Sequence, residues 1–385
     1  MLNVVIKLGI ILITFVVLGY LFLKFYPGIG RVPSFRERKL YAKYNDLYYD
    51  GKFHNISKAS IDASKNEYKA SKSLKWIIEK ILKISEYDDR ETKNIRPKDG
   101  LNVLKINKMD KPSKDKITIT WLGHSSLLIQ MDGKNILTDP ALTEYASPFG
   151  FTGFKRFNQS PIDLDGIDEI DVLLISHDHY DHLDYKTIKK IDSKVKKYIV
   201  PLGVESYLIG WKVNKSKIIT LNWWENQKID NVLFTAIPAK HYSMRNPMNR
   251  DATLWCGFLM QCNGKKLYFT GDTGYSETFS EVNNRFGAID LFMADTGQYN
   301  KAWSGVHMNP YDALRAAKDV GAKYYMPVHW GAFALSNHDW FEPANITTSK
   351  QAEYCVKVVT PRIGEVVDLD LIGRYTSKWW EDEKL

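Results

Sequence analysis

A run of histidines and aspartates directly after an apolar strand constrains this chain more than any other feature. The strand is predicted at 172–176, and the run His-Asp-His-Tyr-Asp-His occupies 177–182. Neutral imidazole nitrogens suit Zn²⁺, and aspartate oxygens suit a second cation beside it. The spacing allows the first two histidines to reach one ion while the second aspartate and the last histidine turn toward a neighbouring one. The segment therefore predicts a metal site at a strand end.

Three further ligand candidates follow other predicted strands. His241, Asp272 and His329 each come shortly after an apolar run, and Asp272 lies within Thr-Gly-Asp-Thr-Gly. Taken alone, each is as readily explained by a turn or a local hydrogen bond. Taken together with 177–182, they place ligand groups at four strand ends. Four such ends on one rim predict a two-metal site.

The pattern from residue 117 onward predicts an α/β layered domain, because early hairpins give way to alternating strands and helices. The predicted strands lie at 117–121, 127–130, 135–138, 172–176, 198–200, 232–238, 253–262, 266–270, 289–294 and 324–328. The predicted helices lie at 183–190, 275–286 and 309–320. The last helix has Asn309 as its N-cap and Pro310 at its first position, both favoured there.

The order of the ligand candidates resembles that of the metallo-β-lactamase superfamily of binuclear hydrolases. The resemblance implies an αββα sandwich with the metals at one edge of the sheets. It also implies three ligands for each zinc ion and one shared between them. The first ion would be held by His177, His179 and His241, the second by Asp181, His182 and His329, and Asp272 would bridge both.

A narrower resemblance is to N-acylphosphatidylethanolamine-hydrolysing phospholipase D and its bacterial relatives. Its motifs recur from about residue 51 to 343. They are Trp121-Leu122-Gly123-His124-Ser125-Ser126, Leu137-Thr138-Asp139-Pro140, Lys155-Arg156-Phe157, Asp184-Tyr185, Asn222-Trp223-Trp224-Glu225, Gly271-Asp272-Thr273-Gly274-Tyr275 and His329-Trp330-Gly331-Ala332-Phe333-Ala334-Leu335. His307 matches an extra active-site histidine of this family. Its alternative role is a helix-start residue with a local hydrogen bond.

The resemblance implies that Asp272, Asp181 and His307 take part in catalysis. Metal-activated water would attack phosphorus, and His307 would position or protonate a phosphate or leaving-group oxygen. One departure concerns the segment Asp295-Thr296-Gly297-Gln298-Tyr299, where family members usually read Pro-Ile-Gly-Ala-Tyr. An acidic residue near the metals would disfavour some anionic substrates, so the substrate stays open.

Five side chains are weaker candidates for substrate contacts. Lys155, Arg156 and Arg245 are candidates for phosphate, and Trp303 and Tyr299 are candidates for the rest of the substrate. The alternative is that the cations are merely solvated and that the aromatic rings belong to the core.

An apolar run at the N-terminus predicts a transmembrane helix. Residues 8–23 carry no charge, and with their apolar neighbours they approach the roughly 20 residues that cross a bilayer. A cleaved signal peptide is the alternative, but the run lacks a small-x-small cleavage pattern. We therefore divide the chain into an anchor at 1–26, a basic, partly helical extension at 27–116 and a hydrolase domain at 117–385.

The basic charge lies in the N-terminal third of the chain. Residues 1–116 carry 24 Lys and Arg against 13 Asp and Glu, whereas 117–385 carry 29 against 32. The excess suits anionic lipid or a solvated helical face, for which 73–82 has amphipathic spacing. The slightly acidic hydrolase domain disfavours a nucleic-acid partner. More cations follow the apolar run than precede it, which predicts a cytoplasmic domain, and three cysteines without a pairing motif agree.

These patterns together predict a membrane-anchored hydrolase with two zinc ions that cleaves a phosphodiester bond of a glycerophospholipid. Iron or manganese would also fit His and Asp ligands. The expected partners are a phospholipid substrate and the bilayer, with the oligomeric state open and a dimer possible. The alternatives are a metal-dependent lactonase or small-molecule phosphodiesterase on the same fold, and a membrane scaffold without activity, which seven intact ligands disfavour.

Overall fold

The structure of the chain is a computed structural model that describes residues 2–56, 94–149, 151 and 153–383. Two large β-sheets pack against each other, and helices cover their outer faces. This is the predicted αββα arrangement. The amphipathic segment at 73–82 lies outside the described residues.

The strands follow the predicted apolar runs closely, with short additions. They are β1 (Tyr48–Tyr49), β2 (Lys52–Phe53), β3 (Thr118–Trp121), β4 (Leu127–Met131), β5 (Lys134–Thr138), β6 (Tyr145–Ala146), β7 (Phe154–Lys155), β8 (Ile170–Leu174), β9 (Val195–Pro201), β10 (Ile218–Leu221), β11 (Asn226–Ile229), β12 (Val232–Pro238), β13 (Cys256–Cys262), β14 (Lys265–Phe269), β15 (Ile289–Asp295), β16 (Ala322–Val328) and β17 (Val366–Asp368).

The helices of the described residues include the three that the sequence predicts. They are α1 (Leu2–Phe25), α2 (Phe35–Tyr44), α3 (Tyr185–Ile191), α4 (Glu205–Gly210), α5 (Thr278–Phe286), α6 (Pro310–Asp319) and α7 (Glu342–Lys350). The start of α6 is confirmed: the Asn309 side chain accepts hydrogen bonds from the backbone N–H groups of Tyr311 and Asp312. Such a cap satisfies donors that the first turn leaves without partners.

Strand direction explains why the ligand loops meet. The larger sheet has the order β10-β9-β8-β5-β4-β3-β17, and the smaller one has the order β11-β12-β13-β14-β15-β16. In the first, β3, β5 and β8 run in the same direction. In the second, β12, β14, β15 and β16 do so. The carboxyl ends of each set therefore share one edge, and side chains just beyond them come together.

The alternation of side chains along the central strands builds three apolar layers. Val172 and Leu174 of β8 face the core between the sheets, whereas Leu173 faces α3 and α4. Likewise, Leu291 of β15 faces the inner core and Phe292 faces α5 and α6. Both faces of these strands are buried, which accounts for their nearly continuous apolar sequence.

The segment before residue 57 also packs on this sandwich. Tyr41, Tyr48 and Phe53 belong to the same core cluster as Trp255. Asn55 exchanges two hydrogen bonds with the backbone of His241, at 2.8 and 3.1 Å. The N-terminal segment thereby supports the loop of a predicted metal ligand.

The predicted membrane span at 1–26 is not supported. A bilayer crossing needs about 20 consecutive apolar residues in a helix. Among the residues that the structure describes, no helix combines the necessary length and apolar character.

Candidate metal centre

The first group of ligand atoms comes from three strand ends. His177 and His179 follow β8, His241 follows β12 and Asp272 follows β14. Their ligand atoms all lie within 4.8 Å of one another. His241 Nε2 lies 3.3 Å from His179 Nδ1, and Asp272 Oδ2 lies 3.7 Å from Nε2 of His177 and from Nε2 of His241. With Zn–N bonds of about 2.0–2.1 Å, ligand nitrogens of a tetrahedral site stand about 3.3 Å apart. The group can therefore hold one ion.

A second group adjoins the first. Asp181, His182 and His329 lie together with His124, again with ligand atoms within 4.8 Å. Asp181 Oδ2 lies 3.3 Å from His182 Nε2 and 3.4 Å from His329 Nε2. Asp272 connects the groups: its Oδ1 lies 3.3 Å from His329 Nε2, and its Oδ2 lies 3.1 Å from His182 Nε2 and 3.7 Å from His177 Nε2. The structure thus brings all seven predicted ligands together.

Hydrogen bonds on the outer nitrogens orient the imidazoles. His182 Nδ1 donates to Asp139 Oδ2 at 2.8 Å, and His241 Nδ1 donates to the carbonyl of Val306 at 2.9 Å. His177 Nδ1 donates to Ser176 Oγ at 2.9 Å. Each bond leaves Nε2 as the nitrogen that faces the centre, which is how outer hydrogen bonds orient a ligand histidine.

Two buried atoms of the ligand groups fit bound metals. His177 Nε2 and Asp272 Oδ1 are buried and have no hydrogen-bond partner among the described residues. Leaving such a group unpaired costs about 1–3 kcal/mol, and more when it is charged. Cations bound in the two groups would satisfy these atoms, so the donor set fits metals.

Burial keeps the imidazoles of the first group neutral. It lowers the pKa of His179 to about 3 and lowers the pKa values of His177 and His241 well below the ordinary range. Neutral imidazole is the form that binds a metal. The first group is therefore ready for a cation near neutral pH.

In the second group, neighbouring carboxylates counteract the effect of burial on the pKa values of the histidines. Burial alone would lower the pKa of His182, but Asp272 and Asp181 raise it well above its ordinary value. Asp272 and Asp295 raise the pKa of His329 to about 10 against the same effect. Burial would raise the pKa values of Asp181 and Asp272, yet His182 holds them well below the ordinary range. Here the positive charge of imidazolium balances the negative charge of the carboxylates. A divalent cation could supply that positive charge instead.

His307 lies at the accessible side of the centre. Its Nδ1 donates to Asp295 Oδ2 at 2.9 Å and lies 3.9 Å from Asp272 Oδ2. Its side chain is 11% exposed, against 0–1% for Asp272 and Asp295. His307 also lines a cavity of about 350 Å³, together with Lys301 and Tyr311. A ligand in this cavity would meet the centre through His307.

The structure gives the two predicted arginines structural contacts instead of a substrate-facing position. Arg245 is buried and donates to the carbonyls of Gly28, Ile29, Asp178 and Leu183. Arg156 is also buried. Its guanidinium donates to the carbonyls of Ala141 and Leu122. Both guanidinium groups are buried and bonded to backbone carbonyls, so neither lies where a substrate phosphate could reach it.

The other three predicted contacts have different surroundings. Lys155 is exposed and pairs with Glu144 at 3.0 Å. Trp303 donates its Nε1–H to the carbonyl of Gln298 at 2.7 Å. Tyr299 stacks on His338 and lines the cavity beside His307. Of the five, Tyr299 is thus the one that lines the cavity.

Three residues support the centre through contacts that the sequence did not predict. Asp139 accepts a hydrogen bond from His182, Asp295 contacts His307 and His329, and His124 contacts Asp181. Asp139 and His124 lie in motifs that carried the resemblance. Asp295 itself comes just after the strand predicted at 289–294, so all three positions were visible, but no local pattern assigns them these partners.

An αββα sandwich with two adjoining His/Asp groups at one edge defines a metal-dependent hydrolase. The family model of the beta-lactamase superfamily domain matches residues 134–330, more than half of the chain. The chain belongs to this superfamily.

Several proteins are similar to this chain in sequence. An uncharacterized protein of Mycobacterium tuberculosis is 36% identical over 257 residues, which cover 66% of this chain and 69% of the relative. N-acyl-phosphatidylethanolamine-hydrolyzing phospholipase D 1 of Caenorhabditis elegans is 30% identical over 253 residues, 63% of this chain and 71% of the relative. The mitochondrial enzyme of that name from Saccharomyces cerevisiae is 33% identical over 255 residues, 64% of this chain and 54% of the relative.

Solved structures share the fold. A possible metal-dependent hydrolase from Veillonella parvula superposes with a TM-score of 0.51 at 17% identity, covering 66% of this chain and 99% of that one. A metallo hydrolase from Ignicoccus hospitalis has a TM-score of 0.50 at 20% identity, covering 66% and 98%. At these identities the likeness concerns the fold alone.

Proposed function

We propose that the protein is a binuclear zinc phosphodiesterase that cleaves a glycerophospholipid of the N-acylphosphatidylethanolamine class. The observation that carries the proposal is the position of Asp272 between the two ligand groups, with its carboxylate 3.7 Å from His177 Nε2 and 3.3 Å from His329 Nε2. The names of the C. elegans and S. cerevisiae relatives support the substrate class. Iron or manganese would fit the same ligands, so zinc itself is part of the proposal.

The chain's own residues would hold the metals and handle the substrate. His177, His179 and His241 would hold one ion, Asp181, His182 and His329 the other, and Asp272 both. When bound, two zinc ions supply a water of lowered pKa as nucleophile and polarise phosphoryl oxygens.

His307 would handle the phosphate side of the reaction. Because Asp295 accepts the hydrogen of Nδ1, Nε2 is the nitrogen left for a substrate oxygen. From the rim of the cavity it would orient a phosphoryl oxygen or hold the proton that the leaving alcohol takes up. Lys301, exposed on the same cavity, supplies a positive charge for an anionic substrate.

The decisive experiment incubates the zinc-loaded full chain with N-acylphosphatidylethanolamine in mixed micelles and identifies the products by mass. Phosphatidic acid plus N-acylethanolamine supports the proposal. Absence of cleavage by protein that carries two zinc ions per chain contradicts the substrate class.

Matched variants separate metal binding from substrate handling. His177→Ala and Asp272→Asn should lose both zinc and turnover, whereas His307→Gln should retain zinc and lose turnover. His54→Gln is the histidine control, since His54 stacks on Tyr49 and has no contact with the ligands. Retained turnover without metal would overturn the mechanism.

A second candidate is a phosphodiesterase or lactonase for small molecules. The cavity of about 350 Å³ favours it, because this volume is at the small end of ligand sites and cannot enclose a diacyl lipid. Hydrolysis of bis(p-nitrophenyl) phosphate or of a lactone, with none of micellar lipid by the same preparation, would select it. Cleavage confined to lipid would exclude it.

A further inference from the structure

His124 is a buried histidine outside the seven predicted ligands. It follows β3 in the loop Gly123-His124-Ser125, and its side chain has no solvent exposure. Its Nε2 lies 2.8 Å from Asp181 Oδ2, the shortest contact that this carboxylate makes with any of the surrounding histidines. Asp181 is the only carboxylate in the second group besides the shared Asp272, so a partner that fixes its direction would act on one metal.

The backbone holds His124 in an unfavourable conformation. Its φ of +56° is in the left-handed region, and His329 has a φ of +68°. The two loops are joined by reciprocal hydrogen bonds: His124 N–H donates to the carbonyl of Trp330 at 2.9 Å, and His329 N–H donates to the carbonyl of His124 at 3.0 Å. Non-glycine residues at such angles cost free energy and cluster at functional sites. The strain places the ring against Asp181 and His329.

Hydrogen-bonding logic assigns the tautomer. A carboxylate accepts only, so the contact with Asp181 requires the proton on Nε2 of His124. Nδ1 then carries the lone pair, and it has no hydrogen-bond partner within the described part of the chain. Leaving Nδ1 unpaired costs free energy, and a side chain with a purely structural role would avoid that cost. What this ring does here is donate one hydrogen bond to Asp181.

We propose that His124 is the positioning residue of the second metal site: its Nε2–H holds Asp181 Oδ2 toward His182 and His329. A carboxylate oxygen has a lone pair for this donor and another for a cation. In the first group, the outer hydrogen bonds of His177 and His241 go instead to Ser176 Oγ and the carbonyl of Val306. The inference rests on the two-metal site proposed above.

Two substitutions separate the hydrogen bond from the backbone. His124→Asn keeps a residue that tolerates the left-handed region but is too short to reach Asp181. His124→Gln keeps an N–H at about the reach of Nε2. Phe333→Leu is the packing control, because the Phe333 ring meets the His124 ring edge-on with centroids 5.2 Å apart and makes no hydrogen bond to it.

Zinc titration of the full chain against a competing chelator measures the two affinities without any substrate. We expect His124→Asn to weaken the binding of the second zinc equivalent about 10–100-fold and to leave the affinity for the first unchanged. His124→Gln and Phe333→Leu should bind both ions nearly as the wild type does. The absorption spectrum of cobalt bound to the first site should be the same in all four proteins.

Three results would overturn the inference: two wild-type affinities in His124→Asn, equal impairment of His124→Gln and His124→Asn, or loss of the second equivalent in Phe333→Leu. Failure of the proposed function is seen separately. It would appear in the wild type itself, as fewer than two zinc ions per chain.

Discussion

The carboxylate of Asp295 accepts a hydrogen bond from His307 at 2.9 Å, between Oδ2 and Nδ1. Its other oxygen lies 3.0 Å from His329 Nδ1, and Thr273 N–H donates to Oδ2 at 3.2 Å. The sequence placed an acidic residue here, where the resembling family usually has none, and raised the concern of repulsion toward anionic substrates. Because both oxygens face donors of the protein, the charge orients two histidines.

The first prediction concerns Asp295→Asn. The amide nitrogen would face N–H donors of His307 or His329, so one histidine must turn away. We expect phosphodiester hydrolysis to fall about 10–100-fold, as for other outer partners of metal ligands. Rates and bound zinc measured on the same preparation test this.

Asp290→Asn is the matched control for that variant. Asp290 lies on the same strand, β15, but contacts Lys323 and the backbone of Lys266. Equal loss of activity in both variants would mean that the effect comes from the strand and not from the histidines.

The second prediction concerns Arg245→Met. The substitution leaves four backbone carbonyls without their donor and removes the charge that faces the buried Asp178. Breaking a buried charged contact in this way costs roughly 3–5 kcal/mol. Urea unfolding should show this loss of the free energy of unfolding, with KM unchanged in the folded protein.

Arg250→Met is the control for Arg245, because its side chain is 49% exposed and lies over the ring of Tyr242. We expect a change within about 0.5 kcal/mol. A raised KM in Arg245→Met without lost stability would restore Arg245 as a substrate contact.

The third prediction concerns Gly297→Ala. A Cβ at this position would lie 2.0 Å from the carbonyl oxygen of His329 and 3.1 Å from Cβ of Trp330. The backbone of a metal-ligand loop must therefore move. We expect a loss of about 1–3 kcal/mol of stability, as for overpacked sites, together with weaker binding of one zinc equivalent.

Gly166→Ala is its control, since its nearest neighbours lie at an ordinary 3.4 Å. Thermal unfolding and zinc titration of both variants provide the comparison. Wild-type zinc affinity in Gly297→Ala would show that His329 tolerates the shift.

The fourth prediction concerns pH. Burial raises the pKa of Glu205, although Tyr41 O–H and Gly203 N–H each donate to its carboxylate at 2.6 Å. The native state therefore binds this proton more tightly than the unfolded state. The contribution of Glu205 to stability is therefore full below the ordinary pKa of Glu, and it falls as pH rises toward the pKa of Glu205 in the folded protein.

Glu205→Gln should remove this contribution. We expect urea midpoints of the variant to depend less on pH than those of the wild type as pH rises above the ordinary pKa of Glu. The difference between the two proteins at each pH isolates Glu205 from other groups. Parallel pH profiles of the two proteins would contradict the raised pKa.

The sequence by itself determined the chemistry of the centre and the frame that carries it. Ligand residues such as His177 and Asp272 are few in kind and follow apolar strands, and parallel strands bring such positions to one edge. Local alternation and caps, as at Asn309, likewise predict elements because their physics is confined to neighbouring residues.

Tertiary structure alone decided which side chains surround that centre. Arg245 and Arg156 look like solvent-facing cations in sequence. In the fold both are buried and donate hydrogen bonds to backbone carbonyls of distant residues. His124 meets Asp181 across 57 positions, and Asp295 meets His329 across 34. The direction of a polar side chain depends on which partners the fold brings within about 3 Å, and a single sequence does not contain those distances.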